Sequence, residues 1–411
     1  MDMTLAATLP FPLARLLLPE SLLPPARLIA LLRRELRRGS LSVTLPDGSQ
    51  DRIEAPLPGP NAQLVLHRWR ALYRLVTDGG IGFAEAYIDG DWDSEDPAKV
   101  VELAACNREA MTGTLAGGLI ARAVARLRHM RNANTRTRSK RNVRAHYDLG
   151  NDFYALWLDP SMTYSSGIYR EGDSTLAAAQ EEKYRCMLDL LEATPGQHIL
   201  EVGCGWGSFA CFAARRGFRV TGVTLSREQF EWASAKVRAE GLDGRVDLRL
   251  VDYRELTGKF DQIVSIEMIE AVGEAYWPQY FRGLRTLLAP GGRAALQVIT
   301  IDDVLFDEYR QDPDFIQTRV FPGGMLPSPD KLAQHAAEAG FRVAASTRHG
   351  EHYARTLAEW RTRYRAALPR VEALGFDERF RRLWDFYLAY CEGGFRARSI
   401  DLYQVALAAT P

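Results

Sequence analysis

Residues 199–210 read ILEVGCGWGSFA, and this stretch constrains the fold more than any other part of the sequence. A run typical of a buried strand leads directly into Gly203, Gly205 and Gly207, and a helical segment follows. A strand, a glycine turn and a helix in this order place backbone N–H groups and a helix N-terminus above the edge of a sheet, where such folds bind ligands. The stretch therefore predicts a ligand site at the end of a parallel strand.

Strand-like and helical segments alternate through the rest of the second half of the chain. Besides HILEV, the strand-like runs are FRVTGV, VDLRLV, FDQIVSI, RAALQVI, FRVAAS and YQVALAA. Helical stretches such as REQFEWASAKVRAEG lie between them. This rhythm predicts a doubly wound, mostly parallel α/β sheet, which the last two strands close in an antiparallel direction.

The 411 residues are enough for two domains, and we divide the chain into three parts. Residues 1–125 are expected to form an accessory domain of mixed helices and strands, which either packs only on itself or carries a lipid-binding face. Residues 126–145 are expected to form a basic linker, and residues 146–411 the main α/β domain with C-terminal helices.

The linker region has a strong local charge. No acidic residue occurs between Glu109 and Asp148, whereas nine residues are basic: Arg122, Arg126, Arg128, Arg131, Arg136, Arg138, Lys140, Arg141 and Arg144. The segment is read as a solvated tether or as one attracted to anionic lipid headgroups. Nucleic acid is the least favoured partner, because no aromatic residues interleave with the charges.

Composition excludes several classes of protein. Lys plus Arg and Asp plus Glu each number 52, so the net charge indicates no partner. The five cysteines are scattered without a CxxC pair, which argues against a disulfide framework or a structural zinc site and favours a reducing compartment. The N-terminus is broken by prolines and does not resemble a signal peptide, and no run of about 18 apolar residues predicts a membrane span. We expect a cytoplasmic protein that associates peripherally with membranes.

The glycine turn also indicates the chemistry of its ligand. A dinucleotide fingerprint would read GxGxxG, but Ser208 stands where the third glycine belongs. Glu201, two residues before the first glycine, would repel a pyrophosphate and suits a ligand with an ammonium group. S-adenosylmethionine has an ammonium group and no phosphate, so it is the expected cofactor.

Ordered blocks along nearly the whole chain resemble the cyclopropane-fatty-acid synthase and mycolic-acid methyltransferase family. These blocks are GIGFAEAYIDGDW, HYDLGNDFYALWLDPSMTYSSGIY, ILEVGCGWGSFACFAA, VTGVTLSREQ, DYRE, EMIEAVG, RVFPGGMLPS and GGFRARSIDLYQV. The resemblance implies a Rossmann-like class I methyltransferase with a seven-stranded sheet and a smaller α+β N-terminal domain. It also implies S-adenosylmethionine as methyl donor, a cis double bond of a phospholipid acyl chain as substrate, a bilayer surface as partner and a homodimer.

The resemblance further implies which residues contact the donor. Besides Glu201, they are Tyr164, Ser165, Gly203, Gly205, Thr224, Leu225, Gln229, Asp252, Tyr253 and Ile266. In the family a bound bicarbonate removes the proton that closes the three-membered ring, and side chains of a Cys, a Glu, a His and a Tyr hold that ion.

Only the glutamate of this bicarbonate site is retained, as Glu270. Ser166 stands in the cysteine's place, Gln297 in the histidine's and Arg361 in the tyrosine's, so bicarbonate and a cyclopropane product are both doubtful. One interpretation keeps an altered anion site, with Arg361 clamping the ion. The favoured interpretation pairs Arg361 with Glu270 and lets a carboxylate, Glu270 or Glu267, take the proton itself, giving a methyl- or methylene-branched chain.

Two other functions compete with lipid C-methylation. One is methylation of a small amine, since relatives of this fold methylate nitrogen. The other is a homologue that binds lipid without methylating it, because the bicarbonate ligands are replaced. The basic linker and the extra N-terminal domain favour lipid, and the intact Glu201, glycine turn and Gln229 favour methyl transfer.

Overall fold

The structure is a computed structural model that describes residues 24–112, 149–170 and 175–410. The chain divides into two compact units, residues 1–127 and 128–411. The basic linker predicted over residues 126–145 lies outside the described residues, so its role stays a prediction.

The first unit is an α+β structure. Its four strands pair in the order β2-β1-β3-β4, with β1 antiparallel to β2 and parallel to β3. The helices are α1 (Pro25–Glu35), α2 (Arg70–Ile88), α3 (Pro97–Cys106) and α4 (Arg108–Thr112), and the strands are β1 (Arg38–Thr44), β2 (Gln50–Glu54), β3 (Leu57–Leu66) and β4 (Trp92–Asp93). Leu28 and Leu32 of α1 and Ile53 of β2 are among its buried core residues.

The second unit contains the seven predicted strands. They are β5 (His198–Val202), β6 (Arg219–Thr224), β7 (Val246–Leu250), β8 (Gln262–Ile266), β9 (Arg293–Ile301), β10 (Phe341–Arg348) and β11 (Ile400–Ala409). The helices are α5 (Asn151–Ala155), α6 (Leu176–Leu191), α7 (Ser208–Arg215), α8 (Arg227–Ala239), α9 (Trp277–Leu287), α10 (Asp303–Gln311), α11 (Pro329–Glu338), α12 (Gly350–Ala366), α13 (Leu368–Ala373) and α14 (Glu378–Arg396).

The strands form one mixed sheet in the order β10-β11-β9-β8-β5-β6-β7. The pairs from β9 through β8, β5 and β6 to β7 are parallel, which confirms the predicted doubly wound class. The last strand, β11, inserts between β9 and β10 and runs antiparallel to both. β11 is the one strand of this sheet that runs opposite to the other six, and it pairs with β10 at the edge of the sheet as an antiparallel pair.

Helices cover both faces of this sheet. On one face, Ile199, Val220 and Val264 pack against α6 and α7. On the other, the alternate strand residues Leu200, Ile263 and Leu296 form a second cluster with α9 and α11. Because successive strand side chains point to opposite faces, these near-continuous apolar strands supply both cores.

The glycine turn adopts the backbone that its sequence demands. Gly203, Gly205 and Gly207 have φ values of 85°, 51° and 81°, a region that side-chain-bearing residues avoid. The N–H groups of Gly203 and Cys204 donate to Val223 O on the neighbouring strand, at 3.1 and 2.9 Å. The turn is thereby fixed above β5 and β6.

No helix in the described parts of the chain is both long enough and apolar enough to cross a membrane.

Gly207→Ala tests how closely α7 and α8 approach at this turn. A Cβ at Gly207 would lie 2.9 Å from Ala233 Cβ, in addition to the strain of φ 81°. We expect a loss of about 2–5 kcal/mol in the free energy of unfolding, measured by urea denaturation. Gly241→Ala is the matched control, because Gly241 has φ 65° and open space around the added methyl. It should lose only about 1–2 kcal/mol, and equal losses would rule out the contact with Ala233 as the cause.

Candidate active site

A cavity of about 190 Å³ opens at the carboxyl ends of β5, β6 and β8. All eleven residues predicted to contact the donor line it: Tyr164, Ser165, Glu201, Gly203, Gly205, Thr224, Leu225, Gln229, Asp252, Tyr253 and Ile266. Glu267 lines it as well, whereas Ser166, Gln297, Glu270 and Arg361 are not among the lining residues. The fold thus brings residues from five separate stretches of the sequence to one place; their contacts with a donor stay a prediction.

Glu201 gives the cavity a buried carboxyl group with an unsatisfied oxygen. Its carboxylate is buried, and Oε2 has no hydrogen-bond partner among the described residues. Burial raises the pKa of Glu201 well above its ordinary value, while the positive charge of Lys183 opposes that rise. An orphaned buried carboxylate costs free energy unless a ligand pairs with it. The ammonium group of S-adenosylmethionine fits this position.

Hydrogen bonds fix two other cavity residues. Ser226 caps α8 by accepting from Gln229 N at 3.3 Å, and Thr224 Oγ1 donates to Gln229 Oε1 at 2.8 Å. On another wall, the Asp252 carboxylate accepts from Arg254 N and Nε at 3.0 and 2.9 Å. Both side chains are therefore held in defined positions before any ligand binds.

The Glu267 carboxylate accepts three hydrogen bonds from three distant parts of the chain. Oε1 accepts from Ser166 N at 2.9 Å and from Gln297 Nε2 at 2.8 Å, and Oε2 accepts from Tyr353 Oη at 2.5 Å. Gln404 Nε2 donates to Gln297 Oε1 at 2.9 Å, which turns the Gln297 amide nitrogen toward Glu267. Two positions expected to hold bicarbonate thus hold a side-chain carboxylate.

Glu267 also has an unusual backbone. Its φ is 49°, and a non-glycine residue in the left-handed region is strained by roughly 1–2 kcal/mol. Strain of this kind persists where surrounding contacts over-determine the conformation, as it often does at functional sites. Removal from bulk water raises the pKa of Glu267, and the bonds from Tyr353 and Gln297 oppose that rise.

Glu270 lies in a different environment from Glu267. Its Oε1 accepts from Ile299 N at 2.6 Å, and Oε2 is buried without a hydrogen-bond partner in the described parts of the chain. Burial and then the neighbouring Glu267 charge raise the pKa of Glu270 to about 8. Glu270 is therefore a largely neutral acid at pH 7.

The predicted pairing of Arg361 with Glu270 is wrong. Arg361 on α12 donates through Nε to Glu392 on α14, at 2.9 Å. Glu392 is fully buried, and Arg396 one helical turn later pairs with it as well. The two helices face each other, so Glu392 supplies the closer anion for Arg361.

Sequence reasoning missed the polar residues that hold the segment before α6. Gln180 Nε2 donates to Ser165 O at 2.8 Å, Lys183 Nζ donates to Ser165 Oγ at 2.6 Å, and the Tyr184 and Thr163 hydroxyls share a 2.6 Å bond. Their i, i+3, i+4 spacing places polar groups on the buried face of α6. That spacing was the available signal. Tyr353 left no comparable signal in the sequence.

Glu270→Gln tests the protonation of this buried acid. The pKa of Glu270 is about 8 when folded against an ordinary 4.5, so its bound proton stabilises the fold fully below about pH 4.5 and this contribution is lost as pH rises through 8. The glutamine variant lacks this dependence. Its free energy of unfolding should be close to that of the wild type near pH 5 and should exceed it by on the order of 3 kcal/mol at pH 8. Urea denaturation at both pH values measures this, with exposed Glu228→Gln as control; a difference that does not change with pH would refute the assignment.

Comparisons with known proteins agree with this geometry. The model of the mycolic acid cyclopropane synthetase family matches residues 134–405. The tuberculostearic acid methyltransferase UfaA1 of Mycobacterium tuberculosis is 37% identical over 398 residues, covering 92% of this chain and 91% of the relative. The cyclopropane-fatty-acyl-phospholipid synthase of Escherichia coli K12 is 35% identical over 343 residues, covering 81% and 84%.

A solved structure extends the agreement to three dimensions. The mycolic acid cyclopropane synthase CmaA1, complexed with SAH and CTAB, superposes with a TM-score of 0.61 at 32% identity, over 65% of this chain and 97% of that chain. The family match covers most of the chain, and the resemblance inferred from the sequence blocks is confirmed. This chain belongs to the mycolic acid cyclopropane synthetase family and is an S-adenosylmethionine-dependent methyltransferase.

Proposed function

We propose that the chain methylates the cis double bond of an unsaturated phospholipid acyl chain and that its product is a methyl- or methylene-branched chain rather than a cyclopropane. The observation that carries this proposal is the Glu267 carboxylate, held by Ser166 N, Gln297 and Tyr353 at the edge of the donor cavity. A carboxylate of the protein there takes the part that a bound bicarbonate plays in cyclopropane formation.

The relatives support the choice of substrate. Their names describe a tuberculostearic acid methyltransferase and a cyclopropane-fatty-acyl-phospholipid synthase. The relative that spans 92% of this chain is named for methyl transfer and not for ring formation. Both names concern fatty acyl groups, which is also what the resemblance implied.

The wall of the cavity near Tyr164 suits an apolar substrate. The Tyr164 ring lies 5.4 Å from the rings of both Trp157 and Trp360, measured between centroids. Its hydroxyl shares a 2.6 Å hydrogen bond with Tyr387 on α14, so the C-terminal helices pack directly beside the donor cavity. An acyl chain in this region would meet aromatic surface and little water, which a weakly nucleophilic alkene requires.

The proposed chemistry needs a base after the methyl group has moved. S-adenosylmethionine supplies an electrophilic methyl group, held in our proposal by Glu201, the glycine turn and Gln229. The alkene electron pair forms a C–C bond to that methyl while the methyl–sulfur bond breaks and S-adenosylhomocysteine leaves, and the other alkene carbon is left as a cation. For a methyl-branched alkene, a C–H bond next to the cation then breaks, its electron pair forms the new double bond, and the proton passes to the Glu267 carboxylate. For a methylene branch, a hydride first shifts from the methylated carbon to the cation, and the C–H bond that breaks is one of the new methyl group.

Glu267 suits this task better than Glu270. Three donors favour its ionised form, while removal from water makes that form more basic. Glu270, with one donor and a pKa of about 8, already carries a proton at neutral pH. This arrangement leaves bicarbonate without its ligands. Ser166 N and the Gln297 amide already donate to Glu267, and Arg361 already donates to Glu392.

The acyl chain would be reached at a bilayer surface by a peripherally bound, cytoplasmic enzyme. The basic residues between Arg122 and Arg144 support this, since each contributes about 1 kcal/mol near an anionic surface. A homodimer remains an expectation from the resemblance alone.

Glu267→Gln tests the base. We expect turnover to fall at least about a hundredfold, because proton transfer by a positioned group contributes that much or more. Glu270→Gln, which mimics the protonated acid, should retain turnover within a few-fold at pH 7. Release of S-adenosylhomocysteine in the presence of vesicles of cis-monounsaturated phospholipid measures turnover, and calorimetry checks that both variants still bind S-adenosylhomocysteine. The opposite ranking of the two variants would contradict the assignment.

Glu267→Gly provides a control for this interpretation. Glycine accepts the φ of 49° without strain and leaves Ser166 N and the Gln297 amide without the carboxylate. Added bicarbonate or formate should then restore part of the activity, whereas neither anion should affect Glu267→Gln, whose amide still fills the space. Failure of both anions to restore Glu267→Gly would count against a role for this carboxylate as the base.

A deuterated methyl group tests the product. S-adenosylmethionine with a fully deuterated methyl is incubated with the same vesicles, and the released fatty acids are analysed by mass spectrometry. Three retained deuteriums indicate a methyl-branched alkene, and two indicate a methylene branch or a cyclopropane. Mild hydrogenation should saturate our product, because a ring resists it and an alkene does not.

Three other results of the labelling experiment would contradict the proposed product or substrate. A labelled product that resists hydrogenation is a cyclopropane and would overturn the branched assignment. Labelled lipid headgroup or a labelled soluble amine would favour an amine methyltransferase. No transfer of label to any lipid would favour the lipid-binding homologue.

A further inference from the structure

Lys183 on α6 is a buried cation that the proposed methyl transfer does not use. Its side chain is fully buried, and Nζ donates to Ser165 Oγ at 2.6 Å and to Gln180 Oε1 at 2.7 Å. Nζ also lies 4.5 Å from the centre of the Tyr184 ring. None of these partners is an anion, although a lysine is almost never fully buried unless it is paired. The burial of this charge therefore needs an explanation.

Carboxylates face Lys183 from several elements, but at longer range. Glu201 at the end of β5, Glu267 after β8 and Asp159 after α5 all favour its charged form, whereas burial lowers the pKa of Lys183 to about 7. Two of these carboxylates, Glu201 and Glu267, line the donor cavity. In its ammonium form Lys183 offsets the negative charge of these carboxylates at this end of the cavity.

Lys183 also determines what the Ser165 hydroxyl can do. In its ammonium form Lys183 only donates hydrogen bonds, so Ser165 Oγ is then the acceptor of the 2.6 Å bond. The hydroxyl proton of Ser165 then remains available, and among the described residues the structure gives it no acceptor. Because Ser165 lines the cavity, that proton is available to a hydrogen-bond acceptor inside it.

The amino-acid end of the donor supplies such an acceptor. Its ammonium and carboxylate groups sit on the same carbon, so an ammonium bound at Glu201 brings a carboxylate within a few ångströms. That carboxylate would enter a cavity already lined by Glu201 and Glu267, which repel it. A hydrogen-bond donor backed by a positive charge compensates for this repulsion.

We propose that Lys183 is a positioning residue for the carboxylate of S-adenosylmethionine: it directs the Ser165 hydroxyl toward that carboxylate and offsets the surrounding negative charge. The inference rests on the proposed placement of the donor in this cavity. Lys183 itself acts through Ser165, since it is not among the residues that line the cavity.

Two ligands distinguish this role from simple packing. S-adenosylhomocysteine has the ammonium and the carboxylate, and its decarboxylated analogue keeps the adenosine, the thioether and the ammonium but lacks the carboxylate. Lys183→Met should weaken the binding of S-adenosylhomocysteine by about tenfold or more, as expected for a lost charge-assisted hydrogen bond. Binding of the analogue should stay within about twofold, because it has no group that Lys183 serves. Isothermal calorimetry measures both affinities.

Ser165→Ala should reproduce the same selective loss. The double variant should lose no more than the larger of the two single losses, because both substitutions remove one interaction. Lys259→Met is the matched control: Lys259 Nζ donates to Thr286 O and Leu288 O near the amino end of β8, away from the cavity. It should change neither affinity.

The outcomes separate this inference from the proposal on which it rests. If Lys183→Met weakens the binding of both ligands equally, Lys183 is a packing residue and the inference is overturned. If thermal unfolding shows that Lys183→Met does not fold, Ser165→Ala decides, and an unchanged ratio of the two affinities in that variant would overturn it. Glu201→Ala should weaken both ligands, since both carry the ammonium; if it weakens neither, the placement of the donor is wrong instead.

Discussion

The buried carboxylate of Glu267 is the constraint on which the rest of the active site depends. A carboxylate removed from bulk water without an ion pair is costly, so its hydrogen bonds must be complete. The donors come from three distant parts of the chain: Ser166 before α6, Gln297 on β9 and Tyr353 on α12. Each charge-assisted bond contributes about 1.5–3 kcal/mol, enough to hold the left-handed backbone of Glu267 in place. One side chain therefore ties the carboxyl end of β8 to the elements that enclose the cavity.

The segment 163–167 shows how far this preorganisation extends. It has no regular secondary structure, yet polar partners hold it at successive residues. Thr163 contacts Tyr184, Ser165 contacts Gln180 and Lys183, and Gly167 N donates to Thr356 Oγ1 at 3.2 Å. A buried segment outside helices and sheets needs such partners for its backbone groups. The same contacts place Ser165 at the cavity and Ser166 beside Glu267. The hydrogen bonds that stabilise this segment therefore also set the geometry of the site.

The sequence predicted the fold better than it predicted the contacts within the site. Apolar runs and the glycine turn are local signals, and they identified all seven strands of the main sheet. The insertion of β11 between β9 and β10 depends on which strands meet, and no local pattern encodes that. The pairing of Arg361 with Glu392 instead of Glu270 has the same origin, since it follows from two helices facing each other. Lys183 and Tyr353 were missed because a polar residue on a buried helix face becomes meaningful only when its partner is known.

The difference between Glu267 and Glu270 follows from how many donors each carboxylate has. Two neighbouring carboxylates in a shared interior do not both ionise readily, so the environment decides which one keeps the proton. Three donors stabilise the charge of Glu267, whereas Ile299 N alone serves Glu270, whose second oxygen is unsatisfied among the described residues. Glu270 therefore carries the proton and leaves Glu267 free to accept another. In our proposal Glu267 is the base, and a base fixed in this way approaches the acyl chain from one direction only. In our proposal that fixed direction selects which C–H bond is broken, and hence a branched chain in place of a ring.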